Sequence, residues 1–464
     1  MKSRSMWRWQ TIVITMLMAT AGLVTGVLRA DDASAADVAS FLTLREIDRS
    51  ARSAIEAATE WNDAADAVVV KVLERLAAPA GLVSGWREAA SRVPAAGEPV
   101  AVADELLGIR GRAIFVAPRS LSDELARLFG RPAYDIVRIV DERGLVVDVL
   151  TPAAPREWPR WQTIDQPAGG LGLPLSAVVA PQPTGAPATA SSWPAGAAGL
   201  VLAADHVAWY PDTPLGRGGM DYGLFDAVSD GKKLVAGDTA AFFAMLAAVG
   251  KTDSTTIAEA AGGASDVMPL IDPARKWFPS HRGDPVVIDG TVLRARKVPV
   301  DEAFRRREVG LDHYWELFVF VETPLLEVDG HLQNSYPIVC CMRELPPGMP
   351  TGERINERVR VPGFGFKRYA YAFELPREAP QDGGATEPER RQTTLVIGPR
   401  AIWTPLPAAA GNRSFQILVG LAAVAALAAM FGLGILSGSR SSTRSIRRSQ
   451  ATLPDRIQLP DEKG

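Results

Sequence analysis

The chain has only two cysteines and four histidines among its 464 residues. The cysteines, Cys340 and Cys341, are adjacent inside an apparent strand. Neighbouring strand side chains point to opposite faces, so a disulfide between them would be strained and none is expected. A buried thiol beside a half-buried one is the expected pair. His206, His281, His313 and His331 are scattered, with no HExxH or other ligand spacing, and read as structural or surface residues. The G-x-S-x-G elbow of hydrolases is missing as well. Gly250-Lys251-Thr252 has the ending of a P-loop, but Met245 stands where the first glycine belongs and no strand precedes it, which argues against phosphate binding. Charge excess is absent too, because 50 basic and 53 acidic residues leave a net charge of -3. Nothing global therefore draws the chain to nucleic acid or an acidic membrane, and any basic surface must be local. No catalytic residue, cofactor or metal ligand is expected.

Long apolar runs are present at both ends. Lys2, Arg4 and Arg8 precede the uncharged stretch from Gln10 to Leu28, and Ala33-Ser34-Ala35 offers small residues for cleavage. Residues 1–35 thus read as a signal peptide or an uncleaved signal anchor. Near the other end, Ile417 to Leu436 matches the roughly 20 apolar residues needed to cross a bilayer. A transmembrane helix is predicted over 415–436. Arg440, Arg444, Arg447 and Arg448 follow it, so the basic tail 437–464 is expected in the cytoplasm and the main domains outside it. The expected location is the cell membrane, single pass.

Between these ends the pattern alternates between helices and strands. Val38, Phe41, Leu44, Ile47, Ile55 and Trp61 recur at helical spacing within 37–78. Strands are expected from Arg110, over Tyr134 to Val140, Val146 to Leu150, Leu173 to Val179 and Leu200 to Trp209, with a long loop or flap from Pro181 to Gly199. A glycine-rich linker after Pro214 leads to a helix from Thr239 to Val249. A second β-rich stretch then runs from Arg282 to Pro405. In it Trp315, Leu317, Val319 and Val321 form an apolar face, while Glu316 and Glu322 fall on the other side. Asp301 and Glu302, ahead of Arg305 to Arg307, read as a solvated loop or helix face.

Landmarks recur in order across the two halves. Arg110-Gly111 matches Arg282-Gly283, Tyr134 matches Tyr314, Pro155 and Pro159 match Pro346 and Pro350, and Trp209-Tyr-Pro211 matches Trp403-Thr-Pro405. The expected fold class is α+β, with two tandem repeats of helices followed by a five-stranded OB-like β-barrel, plus the C-terminal transmembrane helix. The repeats are expected over 36–214 and 215–407. Gly290 lies where a long first strand would bend. The first copy has Pro118 at the matching place, so its first strand is expected to be short or broken. Since only Arg-Gly recurs, the tripeptide Arg282-Gly283-Asp284 reads as a structural turn rather than an adhesion signal.

The combination of Arg-Gly, a glycine-containing strand, YWELFVF, LPPGMP and VPGFGFKRYAY resembles tandem OB-like domains of uncharacterised, secreted and membrane-anchored bacterial envelope proteins. The resemblance covers most of the predicted ectodomain. It implies no activity and assigns no residue a role.

One segment has the composition of a binding surface. Arg358, Arg360, Lys367 and Arg368 interleave with Phe364, Phe366, Tyr369 and Tyr371, the mixture that single-stranded nucleic acids or sugars meet on OB faces. The same aromatics are equally suited to pack a barrel core, with the basic residues outside. The extracytoplasmic topology argues against nucleic acid. The expected function is a non-enzymatic, membrane-anchored binding or scaffolding module whose partner is another envelope protein or a polymer. The alternatives are a polysaccharide- or single-strand-binding module and an enzyme of unrecognised class, which a pocket of clustered His, Asp and Glu would revive.

Overall fold

The computed structural model describes residues 36–405, apart from scattered positions between 48 and 104 and the segments 176–180, 195–198, 329–330 and 374–388. The leader expected at 1–35, the span at 415–436 and the tail at 437–464 lie outside the described residues. The chain divides into two compact units, Met1–Asp226 with Asp301–Gly310, and Ala227–Val300 with Leu311–Gly464.

The first unit opens with α1 (Ala36–Leu44) and α2 (Asp63–Leu76). Asn62 caps α2 by accepting from the backbone N–H groups of Ala64 and Ala65 at 3.1 and 3.2 Å, which meets two of the donors a helix start leaves unpaired. Val69, Val70, Leu73 and Leu76 then form its buried stripe. Strands β1 (Ser91–Arg92), β2 (Leu107–Ser120), β3 (Ala133–Asp141), β4 (Val146–Thr151), β5 (Gln162–Leu175), β6 (Leu200–Ala203) and β7 (Ala208–Trp209) follow, with α3 (Asp123–Phe129) between β2 and β3 and α4 (Pro214–Arg217) at the end. They form one mixed sheet, ordered β1-β2-β3-β4-β6-β5-β7, and β5 also pairs with β2, closing a ring. The β4–β6 pair is parallel. Both faces of the strands are apolar. Ile136, Leu150, Leu173 and Val201 pack with the helices, and Val137, Ile139, Val149 and Leu202 pack with Trp158.

The second unit begins with α5 (Ala236–Ala248), α6 (Ser254–Ala260) and α7 (Met268–Ile271). Its strands are β8 (Pro285–Pro299), β9 (His313–Val328), β10 (His331–Glu344), β11 (Glu357–Phe373), β12 (Glu389–Arg400) and β13 (Ile402–Thr404), with α8 (Ala303–Val309) between β8 and β9 in sequence. The order is β12-β10-β9-β8-β11-β13, and β12 also pairs with β11, closing a second ring. Here β10 and β12 are the parallel pair.

The fold expectation is corrected accordingly. The structure consists of two mixed sheets, of seven and six strands, with few and mostly short helices. Two sheet domains fit tandem β domains. Among the described residues no helix is long and apolar enough to cross a membrane, so the structure gives the C-terminal span no support.

Several landmarks take different places from those expected. The strand through Pro118, expected to be short or broken, is neither, since β2 runs continuously from Leu107 to Ser120. The residue that occupies the place of Gly290 is Gly111. A Cβ on Gly111 would meet Val140 O at 2.1 Å and one on Gly290 would meet Phe320 O at 2.6 Å, so each glycine lets strand two cross closely. Each is followed by a bulge, between Ala113 and Phe115 in β2 and between Val292 and Arg294 in β8. The Arg-Gly match is therefore out of register. Arg282 is buried against Asp230, which also removes it from an adhesion role. Glu316, expected on a polar face, is fully buried with its carboxylate 3.0 Å from Arg294, whose guanidinium lies over the Phe318 ring. Arg305 is buried beside Glu302 and Glu308 on α8, not solvated. The stretch from Pro181 to Gly199 is tied down by Thr184 N–H on Pro118 O and by Trp193, edge-on to Phe115 and under Arg138.

Each unit also fixes a helix to its sheet through one buried carboxylate. In the first, Asp66 of α2 accepts from Arg119 Nε and Nη2 at 2.7 and 2.8 Å, from Tyr134 OH at 2.7 Å and from Trp61 Nε1 at 2.8 Å. Burial, reinforced by Asp66, pushes the Tyr134 phenol well up, so it stays protonated and donates. In the second, Asp238 of α5 meets the ammonium of Lys367, both side chains being fully buried. Asp238 also accepts from the N–H groups of Ser229 and Val235 at 2.9 and 3.1 Å. Burial draws the Lys367 ammonium below its ordinary range, with Asp238 acting against that shift.

The attraction of α5 to its sheet comes mainly from apolar area. Phe242 packs edge-on against Tyr314 and Phe366, and burial of one such ring contributes about 1.5–3 kcal/mol. Desolvation offsets much of what the ion pair gains, yet a lone buried charge is costly. Asp238→Ala is thus expected to lower stability by about 3–5 kcal/mol in urea unfolding, with Asp238→Leu/Lys367→Met recovering most of it.

Candidate functional site

The structure does not bring the expected binding residues together on one surface. Phe364 and Phe366 are fully buried, and Tyr369 nearly so. Leu173 and Pro174 pair with Ala203 and Leu202 in the first ring as Phe364 and Gly365 pair with Ile397 and Val396 in the second. Phe364 thus occupies a core position that both units have. A bulge between Gly365 and Lys367 interrupts the alternation, so Phe366 and Lys367 both reach α5, the ring on Phe242 and the ammonium on Asp238. Outside remain Arg358, Arg360, which makes an exposed bidentate pair with Asp289 at 2.9 and 3.0 Å, and the half-buried Arg368 on Gln392. Tyr371 lies opposite Arg391 in the β11–β12 ladder, and its side chain is outside the described residues. A face without its aromatics has lost the stacking platform a single strand needs.

A groove elsewhere in the second unit has better geometry for binding. It has a volume of about 420 Å³ and lies between the end of α6, the turn through Ser265 and Asp266, Trp277, and the approach to β8 at Asp284. That volume is within the ordinary range of ligand sites, about 300–1,000 Å³. Two reciprocal backbone links fix its walls. Ser265 N–H donates to Val287 O and Val287 N–H to Ser265 Oγ, both at 2.9 Å. Across the groove, Gly283 N–H donates to Gly365 O at 2.8 Å and Gly365 N–H to Asp284 O at 3.1 Å.

Gly365 also explains how the indole is seated. A Cβ there would stand 2.7 Å from Trp277 Cζ3, so only glycine lets the ring lie on β11. Trp277 stacks with His281 at 4.9 Å and 19° and meets Phe278 edge-on, while His281 Nδ1 is 2.8 Å from Asp284 Oδ2. The half-buried tryptophan is therefore held rigidly. Asp266 Oδ1 accepts from Met268 N–H at 3.0 Å. The other oxygens, Asp266 Oδ2 and Asp284 Oδ1, and the Trp277 Nε1 donor have no hydrogen-bond partner among the described residues.

Sequence reasoning missed one further arrangement. His206 Nε2 lies 2.6 Å from Asp221 Oδ2, and Asp221 Oδ1 accepts from Trp209 and Gly223 N–H groups at 2.9 Å each. The pair joins two turns across fifteen residues of chain, which no local motif records. The crevice beside it, lined by Gly170 and Val207, is closed to water. Cys340 and Cys341 are both free and fully buried, and burial pushes both thiols up, which leaves them poor nucleophiles. Among the described residues no three His, Cys, Asp or Glu side chains come together to hold a metal.

No protein-family model matches the chain, and comparison with curated proteins finds no match.

Two outcomes follow from this geometry. Gly365→Ala should displace the Trp277 ring and lower the near-ultraviolet circular dichroism of the folded protein, whereas Gly144→Ala in the first unit, whose Cβ would meet nothing although its φ of 84° adds local backbone strain, should leave that spectrum unchanged. His206 should titrate above its ordinary 6.5 by NMR, because burial, which lowers its pKa, is outweighed by Asp221 and Asp205, with Arg87 opposing them. A raised folded value makes that contribution to stability fully present below about pH 6.5 and lost as pH rises through the folded pKa. Asp221→Asn should bring the titration down and flatten that part of the stability profile.

Proposed function

We propose that this protein is a non-enzymatic binding or scaffolding module acting outside the cytoplasm. The single observation that carries the reading is the open groove beside Trp277, whose walls are fixed to β8 and β11 and whose lining keeps unpaired donors and acceptors. Rigid walls lower the ordering cost of binding, and unpaired polar groups supply orientation. The reading also draws support from how the reactive side chains are placed. Asp221 is occupied by backbone donors as well as by His206, and the thiols are enclosed. The apolar N-terminal stretch behind Lys2, Arg4 and Arg8 supports the extracytoplasmic setting. A role in binding nucleic acid is disfavoured, since Phe364, Phe366 and Tyr369 are inside and the groove has no basic lining residue.

A thermal screen tests this. Neutral, acidic and basic polysaccharides and single-stranded oligonucleotides are added to the protein, and the melting midpoint is recorded. A true ligand at a hundred times its Kd should raise the midpoint by roughly 5–10 °C. No rise with any polymer would sink the reading of the groove as a polymer site, and conversion of one into product would sink the non-enzymatic reading.

A further inference from the structure

We infer that the groove beside Trp277 recognises a neutral polyhydroxylated ligand, a short run of an uncharged polysaccharide. The inference rests on the binding-module reading and narrows it to one chemistry. Of the residues lining the groove, Asp266 and Asp284 are acidic and none is basic, so phosphates and acidic polymers find no cation to pair with there. A lone ammonium or guanidinium gains little here, because Asp266 is exposed and the Asp284 side chain is 50% exposed, and exposed ion pairs contribute little. Hydroxyl groups suit the same atoms better. Each sugar hydroxyl both donates and accepts. Asp266 Oδ2 and Asp284 Oδ1 are acceptors, Trp277 Nε1 is a donor, and Ser265 Oγ, which already accepts from Val287, has its proton left to give.

The apolar part of the lining fits the same class. Ala260, Ala261, Ala264 and Pro285 give a shallow floor suited to the C–H faces of a sugar ring. The His281 ring, stacked on Trp277 and 48% exposed, stands beside that lining as a flat surface next to the indole. Its orientation is set by Asp284, so one carboxylate both holds the ring and offers an acceptor to the ligand. An open groove rather than a closed cavity takes the middle of a chain as readily as its end.

The test follows the Trp277 indole N–H by NMR, assigned with Trp277→Phe. Maltohexaose, cellohexaose and chitohexaose serve as neutral probes, hexagalacturonate as the anionic one and spermidine as the cationic one. At least one neutral hexasaccharide should shift the resonance. Asp284→Asn and Asp266→Asn should each weaken that response about tenfold, and Arg360→Ala should leave it unchanged. Melting curves of each variant confirm that it is folded. The inference is overturned if no neutral probe shifts the indole, if spermidine or hexagalacturonate gives the larger response, or if the groove variants respond as the unmodified protein does. Should the thermal screen find a ligand whose binding ignores both groove substitutions, the sugar assignment falls while the binding-module reading stands.

Discussion

A buried carboxylate near the start of a helix is the constraint on which each unit depends. Asp66 in the first unit and Asp238 in the second are buried where an unpaired charge could not persist; the oxygens of Asp66 are taken by side-chain donors and those of Asp238 by the Lys367 ammonium and two backbone N–H groups. The cations come from different strands, Arg119 from β2 and Lys367 from β11, so the two units solve one problem with different residues. The apolar contacts are non-directional and would tolerate some sliding of the helix. The charge pair tolerates very little, because a shift that parted it would leave a buried charge uncompensated.

That constraint explains why the segment from Val361 to Tyr371 has the composition of a binding surface while Phe364, Phe366, Lys367 and Tyr369 are buried. Phe366 is needed to fill the space under α5, and Lys367 is needed by Asp238. Of the basic side chains, Arg358 and Arg360, just before the segment, are exposed and Arg368 is half-buried. The glycines of the same segment serve another purpose. Gly365 leaves room for Trp277, and Trp277 is what gives the groove its rigid wall. The strand therefore does contribute to a candidate site, through the residue that has no side chain.

What could be read from the sequence follows the range of the interactions involved. The alternation of Leu317, Val319 and Val321 is local and marks a strand without knowledge of its neighbours. Glu316 breaks that pattern because its partner, Arg294, comes from another strand, and period-two reading sends it to solvent. The landmark glycines show the same limit. Gly111 and Gly290 are equivalent because of what crosses over them, Val140 O and Phe320 O, and no spacing rule records that crossing. The groove was hidden for a similar reason, since Ser265, Trp277 and Asp284 are joined through β8 and β11 rather than through each other.

The parallel pairs carry a consequence for biogenesis. In each ring the last strand in sequence, β6 or β12, is the one that enters between the third and the fourth. Until it arrives, β4 and β5, or β10 and β11, each present an open edge of unpaired backbone groups. A chain made from its N-terminus thus carries an unclosed sheet with two unpaired edges, and in the second unit these stay open until Leu395 to Ile397 are available. Closure is set by the order of emergence as much as by sequence preference, which makes the late strand the point at which the whole unit becomes safe from its neighbours.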